Sequence, residues 1–237
     1  SAAYAVSAAD LATRDGEVAF GQAWLKTTRE RFDERVDPFC IDLLETWLIR
    51  LKNQFELGSV PITALCLNGI DFNAFAAPGG IIGVNRGIYL DLGSESEVMA
   101  VLAHELAHLS QRHHYRSLRN SEQLSTGTLA TLAGIVAAIA TRQGQAAQSL
   151  IIGGQAANAT SALAYSRDYE READRIGVAA LRQAGYQPEA MSKVLRILAE
   201  KQSQSTQNLA FLSTHPLGIE RQSDLDARIS QIKNHKE

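Results

Sequence analysis

With 237 residues, 45% of them hydrophobic and 21% charged, the chain is an ordinary globular protein able to bury a sizeable core within one domain. Its formal charge of −3 gives no general electrostatic reason to expect nucleic acid or an anionic membrane surface as a partner. No apolar run reaches the roughly eighteen residues that a membrane span needs, because the longest, 129–140, is interrupted by Thr131 and Gly134.

The chain opens at Ser1 without a methionine, which implies a targeting leader that is absent from it. From Asp10 to about Arg35 the pattern is helical and amphipathic, and Asp37-Pro38 then restarts a helix with an N-cap and proline at its first position. Phe39, Leu43, Leu44, Trp47, Leu48, Leu51 and Phe55 read as the core face of that second helix, which Gly58 ends. A β-like texture follows from Val60 to Leu67, and Asn68-Gly69 is a strong turn signal that predicts a hairpin. Asn73 to Gly80 leads into Ile81, Ile82 and Val84, with Asn85-Arg86-Gly87 as a further turn before Ile88-Tyr89-Leu90. The expectation is a small antiparallel sheet of about three strands. Cys40 and Cys66 lack metal-type spacing and read as two buried free thiols in preference to a disulfide.

The next stretch, Ser94 to about Tyr115, organises the rest. Ser94 with Glu97 forms a capping box, and Val98, Val101, Leu102, Leu106 and Leu109 recur at helical spacing without a glycine or proline. Within this helix lies His104-Glu105-Leu106-Ala107-His108, the pattern H-E-x-x-H. Residues four apart on a helix are offset by about 40° and one turn, so His104 and His108 aim two imidazoles at one point and make half of a zinc site. Glu105 lies about 100° round from His104. It can flank the metal without ligating it and accept a proton from a water that the metal activates. A satisfied core histidine is the bland alternative, but the capped amphipathic context is the one the zinc reading requires.

Residues 117–165 are rich in Ala, Gly, Ser, Thr and Gln and read as closely packed helices with glycine bends, part of them mobile over the site. The missing ligand is expected in Tyr165–Gly185, where Ile176, Ala180, Leu181 and Ala184 mark a second amphipathic helix with a glycine stop. Glu170 and Asp174 share one face of it. Glu170 would complete a His-His-Glu set, and Asp174 would receive the outer N–H of a ligand histidine. The competing reading is a solvated charged stripe, since Arg167, Asp168, Arg171, Glu172 and Arg175 crowd the segment.

His114 is a rival third ligand, six residues after His108 as in the metzincin signature. That signature needs a glycine where Gln111 stands. If the helix continues, His114 faces away, and His113 and His114 are exposed surface residues. His215, in Leu212-Ser213-Thr214-His215-Pro216, is presented from a loop because proline disfavours helix at the residue before it. Three roles stay open for it: oxyanion donor, fourth zinc ligand in a latent state, or a structural hydrogen bond within its own turn.

HELAH at 104–108, the E-x-x-x-D of Glu170 and Asp174, and N-A-F-A-A-P-G-G-I-I-G-V-N-R-G-I at 73–88 together resemble the gluzincin peptidases that include HtpX and the CAAX prenyl proteases. The nearest likeness is to the soluble periplasmic BepA-like members, over roughly residues 15–230, and a Thr-His-Pro followed by arginine recurs in their pattern. The resemblance implies one mainly α (α+β) zincin-type domain over 1–237. Its parts would be N-terminal helices at 15–57, an active-site sheet at 60–92, the H-E-x-x-H helix at 94–116, the small-residue region at 117–165, the E-x-x-x-D helix at 166–185, and C-terminal helices with the His-Pro loop at 187–237.

It also implies one Zn2+ per chain on His104, His108 and Glu170, with Glu105, Asp174 and His215 as catalytic-site residues. The activity implied is endopeptidase cleavage of unfolded or misassembled outer-membrane proteins in the periplasm, with the strand of the Asn73–Gly80 segment bordering the cleft and the outer-membrane assembly machinery as a further partner. Relatives of the BepA type continue into a helical-repeat domain, so either the repeats are cut away or the chain is a single-domain relative. HtpX and the prenyl proteases carry membrane spans, which argues against integral-membrane substrates here. The competing class is an envelope chaperone that keeps the zinc fold and holds clients without cutting them.

Overall fold

A computed structural model describes residues 10–28, 38–120, 166–204 and 210–234. Most of the small-residue region, 121–165, lies outside the described residues, and so do Asp37 and the end expected for the first helix. A short 3-10 turn at Asp10–Ala12 leads into α1, Arg14–Thr28, and α2 spans Pro38–Lys52. Proline at the first helical position loses nothing, because that N–H has no intrahelical acceptor. Leu44, Trp47, Leu48 and Leu51 are buried as their periodicity requires. Phe39 departs from that face and is 69% exposed. It precedes Leu48 by nine residues, which at about 100° per residue puts it on the opposite side of the helix.

Three strands follow: β1 at Thr63–Leu67, β2 at Ala74–Ala77 and β3 at Ile81–Asn85. Their order is β1-β3-β2, with β1 parallel to β3 and β2 antiparallel to it. The sheet is therefore mixed, and the one hairpin joins β2 to β3 through Pro78-Gly79-Gly80. Gly79 and Gly80 both have φ of +84°, a region a Cβ disfavours, so this pair makes the tight turn. Asn68-Gly69 instead opens the return to the far edge, which places β1 parallel to β3. Ile88-Tyr89-Leu90 is helical, within α3 at Gly87–Asp91, and a short apolar run carries no periodicity that separates the two states. Cys40 and Cys66 form a disulfide, with Cα atoms 6.2 Å apart, in place of the expected free thiols. Packing of α2 against β1 brings them together, and a spacing of 26 residues holds no trace of that.

The central helix, α4 at Glu95–Ser110, is capped by the Ser94 hydroxyl, which accepts from the Glu97 N–H. Glu97 returns the arrangement, accepting from the Ser94 hydroxyl at 2.9 Å and from the Gly93 N–H at 2.9 Å. Residues 97–110 are all buried. Around α4 stand the sheet, α2, α6 at Arg167–Gln183 and α7 at Glu189–Gln204, with α9 at Ile219–Asn234 packed against α6 and α7, and with α8 at Ala210–Thr214 placing Phe211 beside Phe72 and His104. Gly177 lets α6 approach α4 at the level of His104: a Cβ there would sit 3.4 Å from Ala103 C and His104 N, and 2.7 Å from Met191 Cε. A short helix, α5 at His113–Asn120, leaves α4 at a sharp turn where Arg112 has φ of 54°. The architecture is mainly helical with one small sheet.

Candidate metal centre

One turn of α4 separates His104 from His108, and their Nε2 atoms lie 3.0 Å apart. From α6, Glu170 reaches into the gap, with Oε1 3.2 Å from His108 Nε2 and Oε2 3.4 Å from His104 Nε2. His215 follows α8 immediately, its N–H donating to Phe211 O at 2.9 Å and its ring stacked on the Phe211 ring. Its Nδ1 lies 3.0 Å from Glu170 Oε1 and 3.3 Å from His104 Nε2. All four side chains are buried, and one donor atom from each falls within 4.8 Å of the others.

The charges around this cluster do not close by themselves. Glu105, Glu170 and Asp174 are buried carboxylates, and Arg221 is the buried guanidinium facing them. Three carboxylates against one guanidinium leave a surplus that further positive charge must offset, from a protonated His104 or from a bound cation. Both Glu105 oxygens are buried, and His215 Nε2 lies 3.4 Å from Oε1, too long for a well-formed hydrogen bond. Imidazole and carboxylate donors around one point, beside a buried carboxylate, fit a first-row divalent metal with a water next to it. His104, His108 and Glu170 are the residues that would hold it.

Titration behaviour follows from the same crowding. Burial alone would depress the His104 imidazole, but Glu170 and Asp174 outweigh it and hold the pKa up at about 10. Burial wins at His108, whose pKa falls well below the ordinary value. Glu105 is pushed up by burial, against the pull of His215 and His104. Glu170 goes well down although burial opposes it, because His215, Arg221 and His104 surround it.

Behind the donors, His104 Nδ1 lies 3.0 Å from Asp174 Oδ1, as the one-turn spacing of Glu170 and Asp174 leads one to expect. Arg221, on α9, forks onto Asp174: Nε donates to Oδ2 at 2.7 Å and Nη2 to Oδ1 at 2.8 Å. Its Nη1 lies 2.7 Å from Glu170 Oε2 and donates to Pro216 O at 3.0 Å. The same guanidinium thus fixes both acids and the loop that carries His215. Sequence reasoning gave Arg221 no role. Two signals were available: its place as the arginine that follows Thr-His-Pro, and the surplus of acids on the inner face of α6, which a buried cation must balance.

His113 and His114 are not surface residues, which corrects the expectation. The Arg112 turn stops α4 from continuing and swings both rings inward. His113 is fully buried, with Nδ1 2.8 Å from His108 Nδ1, whereas His114 Nε2 lies 2.7 Å from Ala76 O on β2. His114 is not among the converging donors, so the metzincin alternative is not assembled. Arg14, from α1, caps the end of α4 by donating to Leu109 O at 3.0 Å and Ser110 O at 2.8 Å.

Residues 50–229 match the profile of peptidase family M48. A Vibrio cholerae protein provisionally named a beta-barrel assembly-enhancing protease is 33% identical over 221 residues, which is 92% of this chain and 45% of that protein. The beta-barrel assembly-enhancing protease of Escherichia coli is 27% identical over 218 residues, 92% of this chain and 44% of its own length. Mitochondrial metalloendopeptidase OMA1 of Schizosaccharomyces pombe is 33% identical over 150 residues, 63% of this chain and 41% of that protein. The chain spans less than half the length of each of these relatives.

Proposed function

The chain belongs to peptidase family M48, and we propose from this premise that it is a zinc-dependent endopeptidase acting on unfolded or misassembled outer-membrane proteins in the bacterial periplasm. The observation that carries the reading is the meeting of His104, His108 and Glu170 at one buried point, with the buried Glu105 carboxylate beside it. Held by His104, His108 and Glu170, zinc would supply an acidified water and a polarised scissile carbonyl. Glu105, whose proton affinity burial raises, takes the proton from the attacking water and returns it to the leaving amine. Asp174 holds His104 with its proton on Nδ1, so that Nε2 stays a donor. No covalent acyl-enzyme forms, because no side-chain nucleophile takes part.

Support for the substrate class comes from the relatives, two of which bear names that speak of beta-barrel assembly. Among the described residues no helix is long and apolar enough to cross a membrane. The edge strand β2 lies against α4 beside the cluster, where an extended peptide can add to the sheet. His215 supports a second level of the reading. Its Nδ1 faces the same point as the three ligands, which favours a fourth donor that holds the enzyme latent over a bond within its own turn.

The test is casein cleavage by the wild type and by Glu105→Gln, each assayed with and without chelator and measured for zinc. Chelator-sensitive cleavage that disappears in a zinc-loaded Glu105→Gln protein is the expected result. Zinc binding without cleavage in both the wild type and His215→Ala, which removes the latency donor, would leave the non-cutting chaperone in its place, and undiminished cleavage by Glu105→Gln would remove the assigned base.

A further inference from the structure

His104 has Asp174 to fix its ring, whereas the corresponding face of His108 meets a different group among the described residues. That face meets a second histidine. His108 Nδ1 and His113 Nδ1 lie 2.8 Å apart, and His113 Nε2 lies 3.1 Å from Glu172 Oε2. Two ring nitrogens at that distance share one hydrogen, so one ring donates and the other accepts. If His108 offers Nε2 to a metal, its hydrogen sits on Nδ1 and donates to His113. His113 Nδ1 is then a bare acceptor, its own hydrogen sits on Nε2, and Glu172 receives it. Every hydrogen in the chain is thereby placed, with no second arrangement that keeps His108 a ligand.

The surroundings hold His113 in this pose. Its ring stacks on Tyr169, with centroids 4.6 Å apart and an interplanar angle of 11°. Arg116 lies over the same Tyr169 ring at 4.5 Å and donates to Glu172 Oε2 at 2.8 Å. The backbone turn that returns His113 to His108 is itself tied down, because Arg112 donates to Glu17 Oε1 at 3.1 Å and to Leu11 O at 2.7 Å.

We propose that His113 and Glu172 form a histidine–carboxylate relay that fixes His108 as an Nε2 donor, making His113 a positioning residue for the metal. The proposal rests on the reading of His108 as a ligand. It says that the two ligand histidines are oriented by separate devices, one fully buried and one leading toward the surface.

The test measures zinc affinity of the full chain by competition with a chromophoric chelator, together with thermal melting of the zinc-free protein. His113→Leu keeps an apolar side chain against Tyr169 but offers no acceptor, and it should weaken zinc by about 10- to 100-fold, the usual cost of losing an outer partner. His113→Asn places an oxygen close to the lost Nδ1 and should recover most of that affinity, whatever it does to melting. A role in packing alone gives the opposite ranking, since leucine suits the buried site better than asparagine. Wild-type affinity in His113→Leu, or equal affinities in the two variants, would overturn the proposal. Should His113→Leu not fold, Glu172→Ala decides: a loss of about tenfold is expected, and no loss overturns it. His108→Ala is the control for the underlying reading. If zinc binds that variant as tightly as wild type, the metal centre is misassigned and the relay falls with it.

Discussion

His104 and His108 stand one turn apart on the same helix, yet they are held in different ways. Behind His104, Asp174 and Arg221 are almost fully buried, with side chains 1% and 4% exposed, and the guanidinium is forked onto the carboxylate. Behind His108, the path runs through His113 to Glu172 and Arg116, whose side chains are 27% and 41% exposed. Similar ion pairs therefore end the two arms in different dielectric surroundings. Charges on the first arm are compensated within the buried cluster, whereas water screens those on the second. The first should behave as part of the folded core and the second as an adjustable support.

Arg221→Ala should have the largest effect. It strips the counter-charge from two buried acids, and breaking a buried pair from one side costs about 3–5 kcal/mol. Urea denaturation of the zinc-free protein measures this, and a loss below about 1 kcal/mol would put the arm in the surface class. Arg221→Lys should rescue poorly, since an ammonium cannot fork onto Asp174 while also reaching Glu170. Asp174→Ala comes next, with zinc affinity reduced by about 10- to 100-fold and read by the same chelator competition.

The pH dependence separates the arms further. His104 has its folded pKa raised from 6.5 to about 10, so its charged form stabilises the zinc-free fold. That contribution is complete below about 6.5 and is lost as pH rises towards 10. Zinc requires the neutral ring, so affinity should climb through the same window. Denaturation of the zinc-free protein and zinc titrations, both at pH 7 and pH 9, check the two opposite slopes. In Asp174→Ala the decline in zinc-free stability should be shallower, because one of the two carboxylates that raise the His104 pKa is gone.

What could be read from the sequence divides along similar lines. His104, Glu105 and His108 were legible because their geometry is contained in one helix, and Glu170 with Asp174 for the same reason on another. Arg221 was not, because the contact that defines it closes over 47 residues and a lone arginine shows no sign of its burial. His113 was missed because α4 was expected to run on. No glycine marks the break, and Arg112 takes a left-handed conformation that costs an ordinary residue about 1 kcal/mol, held there by Glu17 and the Leu11 carbonyl. In the sheet, Asn68-Gly69 and Gly79-Gly80 were both turn signals. Only the pairing of distant strands decides which of them closes a hairpin, and the same holds for the Cys40–Cys66 bond.

Arg116→Ala should have the smallest effect, and it tests the contrast between the arms most directly, because its chemistry matches that of Arg221. Arg116 pairs with Glu172 at 2.8 Å, as short a contact as those Arg221 makes, so distance alone predicts similar losses. Exposure predicts otherwise. A surface ion pair is worth about 0–1 kcal/mol, and an exposed guanidinium over an aromatic ring adds roughly 0.5–1 kcal/mol. Glu172 would keep its hydrogen bond from His113 and gain water in place of the guanidinium, so stability should fall by no more than about 1–2 kcal/mol. Zinc affinity should change by less than in Glu172→Ala. Measured beside Arg221→Ala under the same conditions, an equal loss of stability would mean that water does not reach the outer arm, and the two histidines would then be held alike.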